Sequence, residues 1–355
     1  MNRQQVCNHP LTRACGGIGW LAAIFIGGID LAAAEELFVS KQLTPTNEYT
    51  RGIEGPAVNA AGDLFVTNIR RPGTPNPDKK GAIGRMKKGA TQSTEFAVLP
   101  KDGIGNGIRF DLQGRMYVAD FPRHVIHVFE AGATTPQPYF SAPPANDGKP
   151  AFNQPNDLAI ARDGTLYASD PDFNAGTGRI WRITRQPDGK GAGAIMTSSS
   201  SRPQGITNGV DLSPDNKTLY VSESRFNGEN RPAKIWSYRI DGMTLADETE
   251  VAKFDQGDVD GLRVDTDGRI FVARPDAGQV VIVVPPGALG VAPPPVKTKG
   301  PAPTNLTFGG ADGRDVFVTQ SNKPKRFIER FRTDRPGREP CLQTPAPADC
   351  RAIGQ

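Results

Sequence analysis

The chain has 355 residues, and its 40 Gly and 32 Pro make up about a fifth of it, a turn-rich composition that serves long helices and doubly wound sheets poorly. Its 42 basic and 38 acidic residues leave a formal charge of +4, too balanced for a nucleic-acid footprint, so no nucleic-acid partner is expected. With only three His and four Cys, a zinc finger or a His-rich metal centre has little material.

Residues 1–34 read as a secretory signal. Arg3 and Arg13 give a basic start, Ile18 to Ile29 is an apolar run too short to span a bilayer, and Ala32-Ala33-Ala34 suits cleavage before Glu35. A retained amphipathic anchor is the alternative. No later stretch is apolar enough to cross a membrane, so the mature chain is expected to lack a transmembrane helix and to be periplasmic or secreted.

From residue 54 one pattern recurs six times: a polar residue, an alternating apolar stretch, a Gly or Asn turn, and a second alternating strand. The copies are EGPAVNAAGDLFVTN (54–68), NGIRFDLQGRMYVAD (106–120), NDLAIARDGTLYASD (156–170), NGVDLSPDNKTLYVSE (208–223), DGLRVDTDGRIFVAR (260–274) and NLTFGGADGRDVFVT (305–319). Their leading residues are Glu54, Asn106, Asn156, Asn208, Asp260 and Asn305, spaced by 52, 50, 52, 52 and 45. Gly62, Gly114, Gly164, Asn216, Gly268 and Gly313 occupy matching turn positions, where a positive φ is cheap. Third strands follow at 123–130, 178–184, 233–240, 278–284 and 325–331, and weaker outer strands at 94–99 and 248–254. The polar stretch Pro72–Lys80 reads as a loop inserted in the first unit.

Six four-stranded units predict an all-β, six-bladed β-propeller over residues 35–335. Two β-sandwiches are the alternative, but they do not explain a period that holds along the chain. The sixth unit runs out after three strands, so Phe38–Leu43 is predicted to complete it and close the ring. Residues 336–355 read as a peripheral tail, in which Cys341 and Cys350 could form a local disulfide in an oxidising compartment.

In a propeller the first strand of each blade lines the central channel, so the leading residues open onto one end of it. All six carry a side-chain oxygen. One turn dipeptide such as Asn-Gly means nothing. Six in register, two of them carboxylates, suit a hard divalent cation such as calcium, magnesium or manganese. A Ser-His-Asp triad is disfavoured: no G-x-S-x-G occurs, and His124 and His127 lie three apart on a predicted strand, facing opposite ways. Asp120 and Asp170 read as turn caps or channel residues, and Trp181 and Trp236 as packing between blades.

The segments EGP (54–56), NQPNDLAIARDGTLYASDP (153–171), NGVDLSPDNKTLYVSES (208–224), DGLRVDTDG (260–268) and PTNLTFGGADGR (303–314) resemble the senescence marker protein, gluconolactonase and luciferin-regenerating enzyme family of six-bladed propellers. The resemblance covers roughly residues 45–332. It implies one divalent metal ion, calcium first and zinc, manganese or magnesium as alternatives, and hydrolysis of sugar lactones. It places the metal ligands on Glu54, Asn208 and Asp260, with Asp260 also the catalytic base and Asn156 near both metal and substrate. Asn106 and His124 are further substrate-binding candidates. The expected partner is a small lactone, opened to its aldonic acid. A non-catalytic binding propeller with a structural metal, or a metal-dependent phosphoester hydrolase on the same site, are the competing expectations.

Overall fold

The computed structural model describes residues 36–49, 52–68, 81–142, 152–199, 205–225, 231–321, 326–343, 345–347 and 350. The secretory signal and the Pro72–Lys80 loop lie outside the described residues. Six antiparallel sheets form a six-bladed β-propeller, as the repeat predicts. Blade 1 runs Ala57–Val58, Leu64–Thr67, Ala82–Met86 and Thr94–Val98; blade 2 runs Gly105–Phe110, Met116–Asp120, Val125–Phe129 and Gln137–Phe140. Blade 3 is Leu158–Ile160, Leu166–Asp172, Thr177–Arg185 and Gly191–Ile195. Blade 4 is Ile206–Leu212, Thr218–Ser224, Ala233–Asp241 and Thr244–Phe254, with Thr197–Ser198 added in parallel at its outer edge. Blade 5 is Leu262–Val264, Ile270–Arg274, Gln279–Val283 and Val296–Lys297.

Blade 6 supplies Pro303–Gly309, Asp315–Gln320 and Phe327–Arg332, and its fourth strand is the early Lys41–Gln42. The flanking bonds from Phe38 N to Arg332 O and from Leu43 N to Ile328 O extend this seam, so the ring closes by pairing its two ends. The turns between first and second strands all carry a positive φ at the expected residues, from 59° at Asn216 to 86° at Gly268. The side chains buried by alternation form six separate apolar clusters, each shared by two adjacent blades. Trp181 packs between blades 2 and 3 and Trp236 between blades 3 and 4, as expected of them.

Two expectations need correction. In blade 6 the register places Leu306 opposite Val318, as Ile108 faces Val118 and Val210 faces Val221, with a bulge just before each. Counting back from these partners makes Thr304, not Asn305, the equivalent of Asn106 and Asn208. All three bulges are alike, but the blade 6 hairpin is one rung longer, pairing four residues from Leu306 to Gly309 where blades 2 and 4 pair three, so a count back from the turn glycine lands one residue late.

The second correction concerns the tail, which is not peripheral. A short helix, Arg338–Leu342, enters the channel at the end opposite the leading residues, and the Arg338 side chain is fully buried. Arg338 donates to Ile160 O of blade 3 and Asn216 Oδ1 of blade 4, and its guanidinium lies 3.4 Å from Asp211. Gln343 Nε2 donates to Val58 O of blade 1, Gly337 bridges to Asp265 of blade 5, and Phe308 of blade 6 lies against Gly337. Cys341 and Cys350 are joined, with 5.4 Å between their Cα atoms.

Candidate functional site at the channel mouth

The leading residues sit where the first strands converge, and the backbone there leaves little room. A Cβ on Gly107 would stand 2.9 Å from Asn156 O, and one on Gly209 would stand 2.6 Å from Asp260 O. Gly107 and Gly209 are therefore required by the approach of the next blade, rather than by a turn. The close approach packs the leading side chains into one ring. Glu54, Asn106, Asn156, Asn208 and Asp260 together line a pocket of about 510 Å³ at the mouth. Thr304 is also in the ring, but its hydroxyl donates to Ile53 O and lies by Thr319.

The electrostatics of this ring favour a cation. Burial, then the charge of Asp157, push the Glu54 carboxyl up to about 8, although Thr304, Asn305 and the Gly55 backbone hydrogen-bond it. Burial and the neighbouring Glu54, Asp258 and Asp157 raise Asp260 well above the usual carboxylate range, opposed by a hydrogen bond from Asn208. Among the described residues no basic side chain pairs with either carboxylate. Glu54 Oε2 and Asn106 Oδ1 are buried oxygens that receive no hydrogen bond. Converging oxygens, two uncompensated carboxylates and two unpartnered acceptors fit a hard divalent ion. No three His, Cys, Asp or Glu cluster among the described residues, so amide oxygens would have to complete the shell. Asn208 is oriented for this by its Nδ2, which donates to Ser224 Oγ at 3.0 Å.

Beneath the ring the channel holds charges that were not anticipated. Asp157 follows Asn156 where most blades have Gly. Arg109 reaches Asp157 Oδ1 at 3.1 Å and Arg263 reaches its Oδ2 at 2.8 Å, all three side chains being 1% exposed. Arg109, Asp211 and Arg263 each lie three residues after a leading residue, so they form a second ring. The tail completes it: Glu339 pairs with Arg109 at 2.6 Å and Arg338 with Asp211. Three guanidinium groups meet three carboxylates in this interior. The signal in the sequence was a charged residue at one fixed repeat position, three after the leading residue, where blades 1 and 3 carry Ala57 and Ala159.

The remaining predicted residues fall elsewhere. His124 is not part of the pocket lining, and its Nδ1 lies 2.6 Å from Asn153 O. His127 is buried in blade 2 against Asp120, whose other oxygen accepts from Ile104 N. Asp170 accepts from the Asn153 and Gln154 backbone, from Arg179 and from Trp181 Nε1. Asp120 and Asp170 therefore tie the chain entering a first strand to the end of the second, which is the capping role.

Comparison with known proteins gives a consistent picture. The model of the SMP-30/Gluconolactonase/LRE-like region matches residues 133–322. A gluconolactonase of Zymomonas mobilis is 28% identical over 299 residues, 77% of each chain. Among solved structures, a luciferin-regenerating enzyme superposes with a TM-score of 0.62 at 17% identity, covering 84% of this chain and 97% of its own. A calcium-binding regucalcin of Agrobacterium tumefaciens superposes with a TM-score of 0.60 at 16% identity, covering 88% of this chain and all of that one. At these identities the solved structures speak for the fold.

Proposed function

The chain belongs to the SMP-30/gluconolactonase/LRE-like family, and from that premise we propose that it is a divalent-cation-dependent hydrolase of lactones. The observation that carries this reading is the mouth ring: two buried carboxylates without basic partners, with amide oxygens converging on the same pocket. The name of the Zymomonas mobilis relative makes sugar lactones the first substrates to try. Glu54, Asn208 and Asp260 would hold the ion, with Asn156 beside them. Calcium is the first candidate, from the oxygen-only donor set and the calcium-binding relative, with zinc, manganese and magnesium to be compared. Bound there, the ion supplies Lewis acidity to a lactone carbonyl.

The chain's own residues do the rest. The amides of Asn106 and Asn156 are placed to donate to substrate oxygens and fix the ring's orientation. Asp260 Oδ accepts a proton from the attacking water as the water oxygen bonds to the carbonyl carbon. The ring C–O bond then breaks, and the proton passes to the departing ring oxygen, giving the hydroxy acid.

The test is hydrolysis of a lactone panel by chelator-stripped protein given back each of the four metals. Asp260→Asn should weaken metal binding and lower kcat by about 100-fold or more even at saturating metal. Asn106→Ala should have the smaller effect. Near-normal kcat in Asp260→Asn would remove the assigned base, and inactivity of the parent chain with all four metals would remove the lactonase reading. The same proposal sets the protein outside the cytoplasm, supported by the joined Cys341 and Cys350. Its N-terminus, sequenced from envelope fractions, should lie near Glu35.

A further inference from the structure

The mouth pocket is chemically two-sided. Its floor is the ring of carboxylates and amides. On the blade 4 and 5 side stand Arg225 and Asp258, where the Arg225 backbone N–H donates to Asp258 Oδ1, beside Pro275 and the buried Val259. The blade 2 and 3 side is different: it presents Ile104, Phe121 and Phe173. Ile104 and Phe173 are 38% and 39% exposed, among only eight large apolar side chains so open in the described residues. The hydrogen bonds at these positions are made by the backbone: Ile104 N donates to Asp120 Oδ1, Ile104 O accepts from Phe121 N, and Phe173 N donates to Gln154 Oε1. An isolated exposed apolar residue needs no explanation. Three on one wall of a cavity whose floor is polar are what a ligand with one apolar side requires.

The volume points the same way. Even glucono-1,5-lactone, with about twelve heavy atoms, leaves much of a 510 Å³ pocket unfilled. A polyhydroxylated ring turned toward Ile104 and Phe173 would also face side chains that offer it no hydrogen bond. We propose that the substrate is a lactone bearing an apolar substituent, an alkyl chain of several carbons or an aryl group, which lies along the Ile104, Phe121 and Phe173 wall while the ester carbonyl faces the Glu54 and Asp260 floor. The proposal rests on the lactonase reading for its chemistry and on this wall alone for its selectivity. Ile104 and Phe173 are then specificity-determining residues. They act on the non-reacting part of the substrate, and their contact energy should appear chiefly in kcat/KM.

The experiment compares δ-valerolactone with its pentyl-substituted homologue, δ-decalactone, and glucono-1,5-lactone on the calcium-loaded protein. A fully buried methylene is worth about fourfold, so a pentyl chain partly covered by the wall should raise kcat/KM by about tenfold or more over δ-valerolactone. The decalactone should also exceed the gluconolactone. In Phe173→Ser and Ile104→Thr the ratio between the two δ-lactones should fall toward one, and Phe173→Leu should restore most of it. Equal rates for the two δ-lactones, or a ratio untouched by the variants, would overturn the inference while leaving lactone hydrolysis standing.

A second measurement does not depend on turnover. Binding of the hydrolysis-resistant lactams, 6-pentylpiperidin-2-one against piperidin-2-one, should show the same preference and the same loss in Phe173→Ser. If no lactone is cleaved but the pentyl lactam is still preferred, the lactonase reading fails and the apolar wall stands. If the two lactams bind alike, the wall is no binding surface.

Discussion

Replacing Glu339 by Ala tests whether the C-terminal segment is a working part of the channel. Glu339 lies beyond the last blade, yet its carboxylate is 2.6 Å from Arg109, whose side chain is 1% exposed. Arg109 also reaches Asp157, but Asp157 is shared with Arg263 at 2.8 Å. With Glu339 present, Arg109, Arg263 and Arg338 balance Asp157, Asp211 and Glu339. Without it, one buried positive charge has no counterpart. Removing one partner of a buried ion pair costs about 3–5 kcal/mol. The Glu339 side chain is 14% exposed, so some water reaches the gap and the lower end of that range, about 3 kcal/mol, is expected. At about 1.5 °C per kcal/mol for a propeller of about 300 residues, the midpoint of thermal unfolding should drop by roughly 4–5 °C.

Glu339→Gln retains an oxygen acceptor for Arg109 and should lose less. Calorimetry on both variants, at fixed calcium, gives the comparison. A cycle with Arg109→Met isolates the pair: the double variant should be less destabilised than the sum of its two singles, since the uncompensated charge is removed as well. A drop of less than about 2 °C in Glu339→Ala, together with simple additivity in the cycle, would show that the tail merely lies over the channel and that the interior charges are satisfied without it.

Three further outcomes follow from the same geometry. The double variant Cys341→Ser, Cys350→Ser should fold but lose about 2–3 kcal/mol, because the closed loop is short, and differential alkylation before and after reduction should identify the pair in the parent protein. Burial pushes the Asp265 carboxyl up to about 6, above the usual 3.8, against the pull of Arg269. The folded protein therefore holds a proton there that the unfolded chain releases between about pH 4 and 6, so this group's contribution to stability falls as pH rises through that window. Asp265→Asn lacks the titration, and its unfolding midpoint relative to the parent should rise from pH 4 to pH 7. Gly209→Ala sets a methyl 2.6 Å from Asp260 O. It should lower calcium affinity measured by titration calorimetry and destabilise the fold by about 1–3 kcal/mol, whereas Gly132→Ala, where nothing lies within 4 Å of the new atom, should leave calcium affinity unchanged.

The blade architecture was legible because it repeats. Gly62, Gly114, Gly164, Asn216, Gly268 and Gly313 sit at one phase of the period and all adopt the left-handed conformation that the phase requires. The seam was legible because a missing fourth strand has to be supplied from somewhere, and Lys41–Gln42 supplies it. The hairpin lengths were not legible. Blade 6 pairs four residues from Leu306 to Gly309 where blades 2 and 4 pair three, and nothing in the local character of the strand marks the extra rung, so Thr304 and not Asn305 holds the leading position. His124 was unreadable for a similar reason. It sits in a tight turn with φ 56°, so an alternation argument that placed it on a strand could not tell where its ring points.

The tail was misread because peripheral and plugging segments look alike in composition. Residues 336–355 are rich in Pro and have no long apolar run, which normally marks a solvated end. What set this segment apart was unmatched charge elsewhere. Arg109 and Arg263 occupy channel-facing positions in strands where Ala57 and Ala159 stand at the same phase, and two inward guanidinium groups demand anions from some other part of the chain. Asp157 answers part of the demand, and Glu339 completes it while bringing in Arg338 for Asp211. Once the interior is neutral in this way, none of its cations is left over for the mouth. Among the described residues no basic side chain then pairs with Glu54 or Asp260, and a doubly charged ion would be the simplest way to hold both in their ionised form. On the proposed function, the tail and the cation at the mouth would belong to one electrostatic arrangement. Loss of Glu339 would free positive charge in the interior directly below the ring, and the Glu339→Ala protein should bind calcium more weakly although the substitution is at the far end of the channel.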